Sequence, residues 1–217
     1  MKYKNRFIQI SCDGGAATGK STGAKLISEK YKLKFLSSGL LYRYASYLIL
    51  KHDPKNELSF LNSKFKKLNI NILKKIDLHS AKISRHSSII AKRKNIRNIL
   101  KKFQVNFAKK NKNCCIEGRD ISTKILPMSD LKFFFECNLE IAARRRFKEL
   151  KKKNKKTLFK DVKKALRIRN NLDTNRKHSP LLKHRNSIVI NTGKLSKSAM
   201  LAKMSKYVEN ILNKNEK

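Results

Sequence analysis

Apolar residues follow two rhythms along this chain, one of period two in short runs and one of helical period in longer ones. The run at residues 6–12, Arg-Phe-Ile-Gln-Ile-Ser-Cys, alternates and stops at Gly14-Gly15, which predicts a buried first strand. A helix follows from Gly19 to about Tyr31, then a second short strand at Lys34-Phe35-Leu36-Ser37. Leu41 to Lys51 has helical spacing, with Tyr42, Ala45, Leu48 and Ile49 on one side. Pro54 and Asn56 mark a turn; helical character resumes from Leu58 to Leu68, and Ile70 to His79 reads as a short strand or hairpin. Residues 88–109 form a strongly basic helical stretch. Cys114-Cys115-Ile116 and Leu131-Lys132-Phe133-Phe134-Phe135 are compact apolar runs of the kind found in interior strands of a parallel sheet. A helix from Leu139 to Leu150, a solvated lysine loop or helix end at 151–156, and a helix from Leu158 to Asn170 come next. Ser187 to Asn191 is the last strand, and Ser196 caps a closing helix that runs to Leu212. Strands alternating with helices predict an α/β fold, a parallel sheet covered on both faces, and no internal repeat is visible.

The length of 217 residues suits one sizeable core rather than two ordinary domains. No run approaches the roughly 18 consecutive apolar residues of a membrane span, and Met1-Lys2-Tyr3-Lys4 leads into a strand rather than a cleavable apolar segment. A soluble, unexported protein is expected, with no membrane partner. Cys12, Cys114, Cys115 and Cys137 lack metal-ligand spacing and read as reduced residues, which fits the cytoplasm. The net charge of +39 points at first to a polyanion partner. The excess is mostly lysine, scattered with asparagine and isoleucine along the whole chain, with no aromatic platform interleaved, so nucleic acid is not the expected partner. Arginine is rarer, and its planar fork binds phosphate bidentately, so its placement carries more information than the total charge.

Gly14-Gly15-Ala16-Ala17-Thr18-Gly19-Lys20-Ser21 fits G-x-x-x-x-G-K-[ST] between a predicted strand and a predicted helix, the context a phosphate-binding P-loop requires. The glycines let backbone N–H groups turn inward, and with the helix N-terminus they make a concave anion site. Lys20 would reach the β- and γ-phosphates of ATP, and Ser21 would place its hydroxyl on Mg²⁺; Thr22 completes the ATP-binding set. The motif implies a nucleoside triphosphate without naming the reaction. Asn111-Lys112-Asn113-Cys114 lacks the aspartate of a guanine-reading motif, so small kinases fit better than GTPases.

Four further segments occur in order: Ser37-Ser38-Gly39-Leu40-Leu41-Tyr42-Arg43; Ser88 with Arg97; Glu117-Gly118-Arg119-Asp120 at a strand end; and Arg169, Asp173 and Arg176 leading into Ser179-Pro180-Leu181. With the glycine loop they cover about residues 6–192, and together the chain resembles the bacterial-type cytidylate kinases of the nucleoside monophosphate kinase superfamily. The resemblance implies a single P-loop kinase domain with a core of about 1–52, 89–150 and 176–217, a small monophosphate-binding insert at about 53–88 and a mobile lid at about 151–175. It implies transfer of the ATP γ-phosphoryl group to CMP or dCMP by a monomeric enzyme. Positions matching Arg43, Arg119 and Arg176 hold the acceptor phosphate in that family, those matching Ser88, Arg97 and Asp120 the cytosine, and those matching Arg169 and Asp173 the ribose. Ser38 lies in the matching acceptor segment, and Lys20, Arg119 and Arg176 are the candidate catalytic cations. Glu117 is the candidate carboxylate for Mg²⁺, acting through water.

The chemistry agrees with the resemblance. Cytosine offers acceptors at O2 and N3 and a donor at N4, so hydroxyl and guanidinium donors beside a carboxylate complement it. Two reversed contacts would disfavour uracil by roughly 10²-fold. Arg144-Arg145-Arg146 reads as a basic helix face from which one or two members reach nucleotide, and Tyr42 reads as packing. The family usually carries aspartate where Ser37 and Glu117 stand and often glycine where Ser21 stands. Ser37-Ser38-Gly39 is nearer the Ser-Thr-Gly of adenylate kinases, whereas Glu117-Gly118-Arg119-Asp120 replaces their Gly-Phe-Pro-Arg. Kinases of adenylate, uridylate or shikimate, and a basic nucleic-acid-binding ATPase, are the alternatives.

Overall fold

A computed structural model describes residues 7–152 and 155–214; Arg6 of the expected first strand and Lys153 and Asn154 of the lysine loop lie outside the described residues. The chain divides into two compact units, one made of the N-terminal part up to Phe35 with everything from Lys112 onward, the other of Leu36–Asn111.

The first unit holds the sheet. Its strands are β1 (Gln9–Gly14), β2 (Lys34–Ser37, which crosses the junction between units), β3 (Cys114–Gly118), β4 (Leu131–Glu136) and β5 (Ile188–Asn191), in the spatial order β2-β3-β1-β4-β5. β1 pairs in parallel with both β3 and β4, and β4 with β5. A central strand with neighbours on both edges and helices on both faces has no solvent side, which is why β1 and β3 are buried almost throughout. Helices α1 (Lys20–Lys30) and α8 (Lys197–Lys214) cover one face. Met200, Met204, Val208 and Leu212 recur every fourth residue along α8 and pack with Ala24, Ile27, Ile10, Phe133 and Phe135 in the main core. Ser196 accepts from Ala199 N–H at 3.1 Å, the cap expected of it. α6 (Leu139–Lys151) and α7 (Phe159–Asn175) make a smaller cluster in which Ala143, Val162 and Leu166 close over Ala16 of the glycine loop.

The second unit is helical: α2 (Ser38–His52), α3 (Glu57–Lys66), a 3₁₀ turn (Ile70–Lys74), α4 (Ala81–Ile90) and α5 (Lys94–Lys110). Side chains of Ser37, Asn56 and Ser80 each accept a backbone N–H at a helix start, from Leu40, Ser59 and Ile83. Two expectations are corrected here. Ile70 to His79 forms no strand or hairpin: Asn69 caps a 3₁₀ turn by accepting from Asn71 N–H at 3.0 Å, and Leu73 and Leu78 are buried as single anchors. Residues 88–109 are not one helix. Arg93 takes an extended conformation, and the Arg97 guanidinium donates to Ala91 C=O at 3.1 Å, satisfying a carbonyl released where α4 ends.

Candidate functional site

The glycine loop leaves β1 at Gly14, whose φ of 153° is reached beside β4; a Cβ there would lie 2.4 Å from Phe135 C=O, so only glycine fits. Gly19, at φ 84°, is the left-handed residue that turns the chain into α1. Between them Thr18 Oγ1 donates to Gly15 C=O at 3.1 Å, and Lys20 folds back so that Nζ lies 3.4 Å from the same carbonyl. Ser21 and Thr22 sit half-buried in the first turn of α1, behind Gly19 and Lys20.

Lys20 is 6 % exposed and lies 3.6 Å from the Glu117 carboxylate at the end of β3. Burial lowers its amine to about 8; Arg119 and Arg169 add to the drop, while Glu117 opposes it. The sheet register explains the meeting: Cys12, two residues before the loop, stands opposite Glu117. Among the described residues no group of three His, Cys, Asp or Glu side chains could hold a metal ion. A hydroxyl at Ser21 and one carboxylate at Glu117 are hard oxygen donors of the kind that hold Mg²⁺ jointly with phosphates, so the residues fit that ion.

Side chains from later elements fix the loop. Asn170 of α7 accepts Ala16 N–H at 3.0 Å. Thr192, just past β5, donates from its hydroxyl to Thr18 C=O at 2.7 Å, and Arg145 grips Thr192 through its hydroxyl at 3.0 Å and its carbonyl at 2.7 Å. Of the arginine triplet on α6, Arg145 makes this link; Arg144 pairs with Glu140 and covers the Phe159 ring, and Arg146 pairs with Glu149.

A second cluster forms where β3 ends. Arg119 donates from Nε to Asp173 at 2.8 Å and from Nη1 to Gly118 C=O at 3.3 Å. Arg176, at the end of α7, lies 3.5 Å from the other Asp173 oxygen and 3.8 Å from Asp120, and its Nε donates to Ser179 C=O. Leu181 N–H donates to Asp173 C=O at 2.8 Å, which folds the Ser179-Pro180-Leu181 segment back onto α7. Burial alone would raise the Asp173 carboxyl, but Arg119, Arg169 and Arg176 outweigh it and hold it below the usual carboxylate range. Arg169, half-buried one turn before Asp173, thus acts on both Lys20 and Asp173. Arg119, Asp120, Asp173 and Arg176, named from the sequence, are brought together.

The remaining candidates lie in the second unit, where Arg43 and Ser88 meet at Ser84. Arg43 is buried and donates from Nη1 to Leu78 C=O at 2.9 Å and Ser84 Oγ at 2.6 Å. Ser88 donates to Ser84 C=O at 3.3 Å, so Arg43 and Ser88 share one neighbour. The Arg97 guanidinium lies 5.5 Å from the Tyr42 ring centroid, which gives Tyr42 a stacking role beyond packing. Ser38 is buried as the first residue of α2.

Sequence reasoning missed Asp13, Asn170 and Thr192. Asp13 was visible as the one charged residue of the first strand, and Asn170 as the residue one turn ahead of Asp173 on the same helix; nothing in the sequence singled out Thr192.

The family model described as Cytidylate kinase matches residues 10–210. The chain is 35 % identical over 208 residues to the cytidylate kinase of Bartonella tribocorum, covering 94 % of this chain and 95 % of that one. It is 32 % identical over 202 residues to the cytidylate kinase of Rickettsia africae, covering 93 % and 91 %. Among solved structures, an uncharacterized protein from Eubacterium ventriosum is similar with a TM-score of 0.55 at 16 % identity, covering 94 % of this chain and 99 % of that one. The shikimate kinase of Bacteroides thetaiotaomicron is similar with a TM-score of 0.52 at 9 % identity, covering 94 % and 99 %. At such identities these two likenesses speak for the fold alone.

Proposed function

This chain belongs to the cytidylate kinase family, and from that premise we propose that Gly14 to Thr22 hold ATP while the Arg119, Asp120, Asp173 and Arg176 cluster receives the nucleoside monophosphate. The reaction is transfer of the ATP γ-phosphoryl group to CMP or dCMP, giving CDP or dCDP and ADP. The observation that carries the division of roles is that Asp173 orients two guanidiniums at once, Arg119 at 2.8 Å and Arg176 at 3.5 Å, near the strand end that also presents Glu117 to Lys20.

Phosphoryl transfer between phosphates asks little of acid–base chemistry, because the attacking oxygen is already ionised at neutral pH. The work is alignment and neutralisation of spreading negative charge. Lys20 supplies one fixed cation on the donor side, and Arg119 and Arg176 supply two on the acceptor side. Ser21 would hold Mg²⁺ directly and Glu117 through water; the ion, when bound with ATP, neutralises charge on the β- and γ-phosphates. Asn170 and Thr192 keep the loop in shape through Ala16 N–H and Thr18 C=O.

The assignment of Arg43 and Ser38 to the acceptor, of Ser88, Arg97 and Asp120 to cytosine, and of Arg169 and Asp173 to ribose rests on matching motif order. The roles of residues 53–88 as the acceptor insert and 151–175 as a lid that excludes water belong to the same proposal. So do a monomeric state and a cytoplasmic location. Cys12, Cys114, Cys115 and Cys137 form no disulfide, and among the described residues no helix is long and apolar enough to cross a membrane.

An acceptor panel tests the reading. With ATP and Mg²⁺ the protein turns over CMP and dCMP much faster than UMP, AMP or GMP. Equal rates on the four ribonucleotide monophosphates would discard base recognition by Asp120 and its partners.

A further inference from the structure

Asp13 has no role in the chemistry above, yet it is a fully buried carboxylate one residue before the glycine loop begins. Its Oδ1 accepts from Ile121 N–H at 2.8 Å, and its Oδ2 accepts from Ser122 N–H at 2.7 Å and Ser122 Oγ at 2.6 Å. Those donors open the single π turn Ile121–Ile125, which starts directly after Arg119-Asp120. The first N–H groups of any helical turn have no acceptor inside the turn, and the residue before it ordinarily supplies one from its side chain. Here that residue is Asp120, and its side chain makes no such cap; its Oδ1 lies instead 3.8 Å from Arg176 Nη2. Asp13 does the capping from a neighbouring strand, reaching across from a backbone position opposite Gly118.

We infer that Asp13 is a positioning residue for the acceptor side: by capping the turn at Ile121 and Ser122, it releases the Asp120 carboxylate toward Arg176 and fixes the backbone from which Arg119 reaches Asp173. The inference deepens the reading under Proposed function and rests on it. An apolar residue at the same core position would avoid the cost of burying charge but would leave the Ile121 and Ser122 donors unpaired. The cost that remains shows in the Asp13 carboxyl, which burial pushes up against the hydrogen bonds from Ser122 and Ile121. What the charge secures is the direction of two neighbouring side chains. Asp13 also leads by backbone into Gly14, so one residue joins the donor loop to the acceptor turn.

The test uses full-length protein and whichever monophosphate the wild-type chain phosphorylates best, so that a wrong acceptor identity and a wrong role for Asp13 give different results. In Asp13→Asn the amide can satisfy only part of the donor set, and the KM for the monophosphate is expected to rise about tenfold or more while the KM for ATP stays within about twofold. Ser122→Ala removes one of the donors and is expected to raise the same KM about threefold. Hydrogen–deuterium exchange read without substrate should show the amides of Ile121 and Ser122 exchanging faster in Asp13→Asn, with those of residues 14–22 unchanged. A matched rise in both KM values, or unchanged protection at Ile121 and Ser122, overturns the inference. Should Asp13→Asn fail to fold, Ser122→Ala decides alone: a rise confined to the monophosphate supports it, and an equal rise for both substrates or none at all overturns it.

Discussion

The glycine loop and the arginine cluster lie at the ends of adjacent parallel strands, and the phosphate sites we propose there are made of different material. The loop is backbone: its shape depends on Gly14 passing so near Phe135 C=O that a Cβ would lie 2.4 Å from it, and on the left-handed turn at Gly19. The cluster is side chain: Arg119 and Asp120 from the end of β3, Asp173 and Arg176 from α7, held by ion pairs between 2.8 and 3.8 Å. A backbone cradle binds any polyphosphate and cannot tell one base from another. A cluster of forks and carboxylates can discriminate, and each of its members can be changed singly.

The largest effect that separates the two regions is expected from Lys20→Ala, which removes the cation of the donor side. Turnover should fall by about 10³-fold or more with the fold retained, as read by kinetics and circular dichroism. Asp120→Asn should strike the other region: selectivity for CMP over UMP drops about 10- to 100-fold while the KM for ATP holds. A change in ATP affinity without a change in selectivity would assign Asp120 to the wrong region. The third effect is a pH dependence confined to the donor side. Burial lowers the Lys20 amine to about 8, so ATP affinity measured by titration should fall as pH climbs through about 8, approaching a tenfold loss per pH unit. Over the window from about 8 to the ordinary value of 10.5, the unfolded chain keeps a proton that the native chain has released, so the Lys20 contribution to stability rises with pH as affinity falls. Glu117→Gln removes an opposing influence and should move the loss of affinity to lower pH. The smallest effect is expected from Thr192→Val, which cuts the link to Thr18 C=O and should raise the KM for ATP about threefold with the KM for CMP unmoved.

The same contrast explains what could be read from the sequence. Strand, glycine loop and helix lie within about residues 9–30, so local spacing sufficed to place Lys20 and Ser21. The parallel sheet and its flanking helices followed from apolar periodicity, and Ser196 from its capping chemistry. Arg119, Asp120, Asp173 and Arg176 were named through resemblance; the bond from Arg119 to Asp173 joins positions 54 residues apart, a separation no periodicity encodes. Asp13 was missed because its partners, Ile121 and Ser122, lie more than a hundred positions away. The segment at 70–79 misled because its alternating isoleucines look like a strand, yet Asn69 caps a 3₁₀ turn and Leu73 and Leu78 bury as isolated anchors. Likewise the basic stretch at 88–109 has helical composition throughout, and the break shows only in the extended Arg93 and the Arg97 bond to Ala91 C=O.

One turn of α7 carries both Asn170, bonded to Ala16 N–H, and Asp173, bonded to Arg119. A shift of that turn would therefore be felt at the glycine loop and at Arg119 together, through a single helical turn.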